Sequence, residues 1–409
     1  MSATLPYLTA EIPPIPLRYK TAASDFVVEE IPRYAPCGSG DHIYVLIEKT
    51  DRTTRQAVSA IARALAIPAE QFGVAGQKDA RGVTRQYLSV PGVDPARVRA
   101  IALPQVTILD VARHRAKLRL GDLQGNRFQV RLRDLDADRL PNLRRVLDIL
   151  ARRGVPNYFG LQRFGMRGDT WEIGRALARG EFREAVAGII GRPNPGDPEA
   201  IHKARELGAA EQYIQAARAW PERFEHCRAL CRRLAGSGGD ARRAVLSMDR
   251  TLLGFYVSAF QAGVFNQVLA QRLSRLDEIL AGDVGVTHTT GASILVRDPA
   301  PYRSLVAQFE VSPTGPLVGH AMIRPEHEPA AIEENAFVAN GIAVADLPRT
   351  GPLKCIGRRR PLRFRPEALQ IESGRDGLGL FTALRFTLPA GCYATALLRE
   401  IGKGDLREG

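Results

Sequence analysis

The sequence predicts an α+β protein of two domains. Three observations point there. Strand-like runs, some strictly alternating between apolar and polar residues, occupy both ends of the chain, with amphipathic helical periods between them. The middle, from Thr170 to about Leu273, is helical by period and rich in Ala and Arg. At 409 residues the chain exceeds the usual single domain.

Taken in order, residues 1–19 are Pro-rich and read as extended. Asp25 to Ile31 (DFVVEEI) and His42 to Glu48 (HIYVLIE) read as strands joined by a Pro/Gly loop. Thr53 or Thr54 caps a helix whose stripe is Val58, Ile61, Ala62 and Leu65. Gln86 to Val90 and Val106 to Val111 read as further strands. In Arg115 to Arg133, Phe128, Val130 and Leu132 face one way and Arg127, Gln129, Arg131 and Arg133 the other, a half-buried strand with a cationic outer face. Arg115, Lys117 and Arg119 repeat that spacing before the turn Gly121 to Gly125. Such a face suits solvent and RNA equally. Leu140 to Gly154 is a helix with Leu143, Val146, Leu147 and Leu150 inward.

Beyond Met166 the helical middle is interrupted at Gly191 to Asp197 and Gly236 to Asp240. Leu252 to Leu273 reads as one long buried helix or a pair. Residues 282–352 mix short strands, turns and Pro/Gly. Arg358 to Arg365 (RRRPLRFR) is intensely basic and suits phosphate contact. Leu380 to Leu388 is a strand and Ala390 to Ile401 a closing helix. The division expected is residues 1–165 with 355–409 as one domain, and 166–354 inserted between them.

Composition narrows the function classes. Lys and Arg outnumber Asp and Glu by 57 to 44, a net charge of +13, which favours a polyanionic partner. The five cysteines are odd in number and scattered, so no disulfide framework is expected and a reducing compartment fits. His226, Cys227 and Cys231 lack a second ligand pair, so no metal site is expected. There is no Walker loop and no dinucleotide fingerprint, so no cofactor is expected. No run approaches the ~18 apolar residues of a membrane span, and the start lacks a leader pattern; a cytoplasmic protein without membrane association is expected. Nothing implies an obligate protein partner.

The most unusual stretch is Phe72 to Gln86, FGVAGQKDARGVTRQ. It carries one carboxylate, Asp79, flanked by Lys78 and Arg81, with glycines at 73, 76 and 82. Small residues admit another molecule closely, and neighbouring cations keep a carboxylate ionised. Read alone, an aspartate so placed is more often a turn or cap residue than a reactive group.

With VPNYFGLQRFG at Val155 and LPAGCYATALLREI at Leu388, the chain resembles the TruD family of pseudouridine synthases. DFVVEE at Asp25, HRAKLRLGDLQGNRF at His114 and FNQVLAQRL at Phe265 extend the match. The resemblance is close over the first ~170 and last ~50 residues and looser between. It implies a catalytic domain with a mixed, mainly antiparallel sheet and flanking helices, a family-specific inserted α/β domain, and an RNA cleft between them. It implies isomerisation of uridine, at position 13 of tRNA, without a cofactor. It places the catalytic aspartate at Asp79, substrate-contacting residues at Phe26, Asn157, Phe159 and Tyr393, and a basic residue near the site at Lys20. Arg115, Lys117, Arg119 and Arg358 to Arg360 are then candidates for the RNA backbone. Two departures stand out. Tyr393 occurs where the family has an LPAGxF aromatic, and Gly168 to about Leu252 is longer than in shorter bacterial members. An RNA-binding or folding protein, or a synthase for another RNA, are the other readings.

Overall fold

The structure, a computed structural model, describes residues 5–165, 167–404 and 406–408. By compactness it divides into two units, Tyr7–Val155 with Phe364–Gly409, and Pro156–Arg363 with the first residues.

The first unit is built on one large sheet. The unit's strands are β1 (Leu17–Tyr19), which lies apart from that sheet, and β2 (Phe26–Pro32), β3 (His42–Thr50), β4 (Gly73–Val74), β5 (Val83–Pro91), β6 (Val106–His114) and β7 (Leu123–Leu132) within it, followed late in the chain by a hairpin of Glu367–Asp376 and Gly379–Pro389. The order across the sheet is Glu367–Asp376, Gly379–Pro389, β7, β2, β5, β3, β6, with β4 added beside β5. Every pairing is antiparallel except β2 with β5. Outside this sheet, β1 pairs in parallel with Leu406–Glu408, setting Tyr19 opposite Glu408.

Helix α1 (Thr54–Leu65) starts on a capping box, in which Thr53 Oγ1 accepts from the Gln56 amide and the Gln56 side chain accepts from Thr53 N–H. Its buried Ala57, Val58, Ile61 and Leu65 share a core with Ile43, Val45 and Ile47 of β3 and Leu88 and Val90 of β5. The short α2 (Pro95–Arg99) completes that layer. The helix α3 (Leu140–Arg153) buries Leu143, Val146, Leu147 and Leu150, as its period predicts. It packs on the closing helix Ala394–Gly402.

Strand β7 buries Phe128, Val130 and Leu132, with Phe128 stacked on Phe386 at 5.4 Å between ring centroids. Its outer face is less cationic than the sequence predicts. Arg127 pairs with Glu29 at 2.9 Å and Arg131 with Asp376 at 3.1 Å. The side chain of Arg133, just past the strand, is buried between Asp25 and Asp376. The alternation fixed which way each side chain points but not the carboxylates supplied by other strands. Arg115, Lys117 and Arg119 do not continue a strand, because β6 ends at His114 and 115–122 form a loop.

The second unit is organised around one helix, Arg250–Arg272, packed on helices Thr170–Ala178 and His327–Ala339 and on strand Val311–Leu317. It is a single helix, and with its short extension it is long and apolar enough to cross a membrane, contrary to the sequence expectation. About 67% of its apolar window is buried in this fold, as a core helix requires. A small sheet, ordered Ser293–Leu295, Val284–Thr287, Val311–Leu317, Arg358–Pro361, lies in the same unit. Cys227 and Cys231 are buried on helix Glu225–Gly236, where burial pushes both thiols above their usual pKa.

Candidate active site

Asp79 lies in the loop that leads from β4 into β5, and its side chain is 41% exposed. The loop is fastened at several points. The Lys78 amide donates to Thr54 Oγ1 (3.0 Å), whose hydroxyl donates to Gln86 Oε1 (2.9 Å). Gly82 and Asp51 exchange two bonds: Gly82 N–H to Asp51 Oδ1 at 2.9 Å and Asp51 N–H to Gly82 O at 3.1 Å. Gly82 has φ +120°, and a Cβ there would stand 2.4 Å from the Phe26 carbonyl oxygen, so the position requires glycine.

The cation facing the Asp79 carboxylate is Lys20, with Nζ 3.8 Å from Oδ2. Lys20 is buried, takes a left-handed φ of +57°, and holds its ammonium 4.5 Å from the centre of the Phe26 ring. Phe26 is itself buried and meets Phe128 edge-on, so in this structure it floors Lys20. Lys20 also lies 3.4 Å from Glu408, which accepts from the Tyr19 hydroxyl (2.6 Å) and faces Arg81 at 4.0 Å. Burial works against the charge of Glu408, but the Tyr19 hydroxyl and Lys20 hold its carboxyl below the usual range. Burial, then the bond to Glu408, pushes the Tyr19 phenol well above its usual pKa.

Lys78, adjacent in sequence to Asp79, does not serve it. Its ammonium turns inward to Glu30, 2.6 Å away, and both side chains are almost fully buried. Glu30 accepts the Tyr87 amide with its other oxygen (3.2 Å), so this buried pair has the extra hydrogen bond such pairs need. Sequence adjacency gave the wrong neighbour, because consecutive side chains leave a loop in different directions.

The residue that sequence reasoning missed is Lys49. It is 0% exposed, and its Nζ donates to the main-chain carbonyls of Asp79 and Arg52, both at 2.6 Å. Burial pushes its pKa down to about 8, with Lys78 acting in the same direction and Asp79 and Asp51 in the other. A signal was present: Lys49 continues the inward register of Ile43, Val45 and Ile47 on β3, a lysine where the pattern calls for an apolar residue.

Tyr393, in the same unit, immediately precedes the helix Ala394–Gly402 and is 45% exposed. Arg115 and Arg119 are exposed, and Lys117 donates to the Glu70 carbonyl at 3.0 Å.

Asn157, Phe159 and Arg358 to Arg360 belong to the second unit. Asn157 is buried, donating to the Pro361 carbonyl (2.9 Å) and accepting from Arg360 (2.5 Å). Phe159 is buried, with Phe265 edge-on at 5.6 Å and the Arg360 guanidinium 4.3 Å from its ring centre. Arg359 is placed otherwise than the sequence predicts. Its side chain is buried, paired with buried Glu333 at 2.6 Å, and bonded to the hydroxyl and carbonyl of Thr314. Arg358, one residue earlier on the strand, is exposed.

With this geometry established, comparison with known proteins decides the lineage. A family model described as "tRNA pseudouridine synthase D (TruD)" matches residues 3–401. The chain belongs to the TruD family. Among TruD relatives, the tRNA pseudouridine synthase D of Geobacter sulfurreducens is 43% identical over 402 residues, 97% of this chain and 96% of the relative. That of Geobacter metallireducens is 42% identical over 404 residues, 99% of each chain. A solved structure from Methanosarcina mazei that carries the TruD name superimposes with a TM-score of 0.83 at 26% identity, covering 97% of this chain and 96% of that one. The mainly antiparallel sheet with flanking helices is therefore the TruD architecture.

Proposed function

We propose that this chain is a tRNA pseudouridine synthase in which Asp79 is the reactive carboxylate and position 13 the target. The reaction is an isomerisation. The bond from uracil N1 to ribose C1′ breaks, the base turns, and a bond from C5 to C1′ forms while the C5 proton is given up and N1 gains one. No redox step or outside energy is involved. An ionised carboxylate at the sugar suffices: it adds to C1′, or it removes the C2′ proton to leave a glycal. The observation that carries the reading is the setting of Asp79, partly exposed at a fastened loop and faced by the buried ammonium of Lys20 at 3.8 Å.

The unit containing Asp79 is assigned the chemistry, and Pro156–Arg363 the role of the inserted domain. The family positions assign Phe159 and Asn157 to the target base and Tyr393 and Phe26 to substrate contact. Taking a base out of its stack costs a few kcal/mol, which restacking on an aromatic ring offsets by about 1–3 kcal/mol. The exposed Arg358, Arg115 and Arg119 are assigned to phosphate.

The test is to incubate wild type and Asp79→Asn with unmodified tRNA and map pseudouridine. Wild type should modify one uridine and the variant none. Two equally empty maps reject the enzyme. Full complementation of a deletion strain by Asp79→Asn would favour an RNA-binding role instead.

A further inference from the structure

Lys49 occupies a position where the strand register calls for an apolar residue. It follows Ile47 on the inward register of β3 and is wholly buried. Burying an ammonium there is unfavourable, as the depression of its pKa to about 8 records. Methionine would fill much the same volume without that penalty. What lysine alone supplies is a pair of donors and a charge. The donors reach the carbonyls of Arg52, at the entrance to α1, and Asp79, in the loop before β5. The charged groups facing it are Asp79 and Lys78 from the loop and Asp51 from the turn after β3.

This arrangement matters for direction. The Asp79 side chain is partly exposed and its ion pair with Lys20 is loose at 3.8 Å. Its aim is therefore set chiefly by its main chain, which Lys49 grips from below at 2.6 Å.

We propose that Lys49 is a positioning residue for the reaction: its ammonium anchors the main chain at Asp79 from beneath the loop and so keeps the carboxylate aimed. The inference rests on the reading of Asp79 as the reactive group. Lys49 does not touch the substrate. When it loses its proton, the charge under the loop disappears while the fold remains, so the reaction acquires an alkaline limb.

The experiment measures single-turnover rates on a tRNA transcript from pH 6 to 9.5 for wild type, Lys49→Met and Lys49→Gln, with amide hydrogen exchange on each protein. In wild type the rate should fall above pH about 8. Lys49→Met should lose about 100-fold in the maximal rate with little change in KM, the signature of a misplaced group. Its residual rate should lack the alkaline limb. Lys49→Gln, which keeps a donor without the charge, should recover part of the rate and still lack the limb. Loop amides 77–82 should exchange faster in Lys49→Met while those of β5 keep their protection.

Loop amides 77–82 that keep wild-type protection in Lys49→Met overturn the proposal. So does a Lys49→Met enzyme with the wild-type rate and limb. If wild type leaves tRNA unmodified, the functional reading fails, and amide exchange alone judges the anchor: unchanged loop protection in Lys49→Met overturns it.

Discussion

Asn266 holds Phe159 by both of its main-chain polar groups. The Phe159 amide donates to Asn266 Oδ1 at 2.9 Å, and Asn266 Nδ2 donates back to the Phe159 carbonyl at 3.0 Å. Asn266 is fully buried on the central helix of its unit. Asn266→Ala leaves a buried N–H and a buried C=O without their partner, so it should destabilise by about 2–4 kcal/mol. Asn266→Asp should be worse, since it sets a carboxylate oxygen against the Phe159 carbonyl. Denaturant melts of the variants check this; melts that match wild type would dismiss the clamp.

Asp79→Asn should separate activity from stability. The carboxylate is partly exposed and Lys20 faces it at 3.8 Å, so the fold gains about 0–1 kcal/mol from the pair. The melting temperature should hardly move while pseudouridine formation falls below detection. A variant that melts much earlier would mean the aspartate holds the loop together.

Gly82→Ala tests the loop from another side. The positive φ disfavours alanine, and its Cβ would press against the Phe26 carbonyl. A clash with main chain is hard to relieve, so about 2–4 kcal/mol should be lost. Because Gly82 and Asp51 fasten the loop together, the rate should fall even below the melting range. Normal kinetics in the folded variant would show the loop to be more tolerant than this geometry allows.

Much of this was legible in the sequence. The 128/130/132 alternation and the 143/146/147/150 stripe each encode an element locally and formed as read, and of the two threonines offered as a cap Thr53 takes the role. What was hidden depends on pairs distant in the chain. Glu30 takes Lys78 away from Asp79, and Asp25 and Asp376 neutralise Arg133. The run RRRPLRFR reads as a uniform basic patch, yet strand alternation sends Arg358 outward and Arg359 in to Glu333. The strand Glu367–Asp376 escaped notice because it is the sheet edge and mostly exposed, so no apolar face marks it. Lys49 was visible as a break in pattern, but a break says only that something polar must be there.

The arginine run therefore predicts two opposite phenotypes from neighbouring residues. Arg359→Ala abandons the buried carboxylate of Glu333 and should cost about 3–5 kcal/mol. Arg358→Ala, on the exposed side, should leave stability within about 0.5 kcal/mol. If Arg358 meets phosphate, its loss should weaken tRNA binding and lower the salt slope by about one. Melts and salt-dependent binding of the two variants decide the assignment; equal effects on both measurements would reject it.

Lys49 gives stability a pH signature of definite sign. An ordinary lysine titrates at 10.5, and in this fold Lys49 titrates at about 8. Between those values the unfolded chain carries a proton that the folded chain has released, so stability rises with pH. Below the window both states are protonated and the full penalty of burying the charge applies. Above it neither is, and the penalty is gone. The gap corresponds to about 3 kcal/mol. Other groups titrate in this range, so the measurement is the stability of wild type minus that of Lys49→Met at pH 7, 8.5 and 10. The difference should shift steadily in favour of wild type; a constant difference would mean that the buried ammonium is not strained. The same deprotonation that relieves the fold removes the charge beneath Asp79. At this residue stability and activity should therefore move in opposite directions with pH, which is the pattern expected of a charge retained for chemistry rather than for folding.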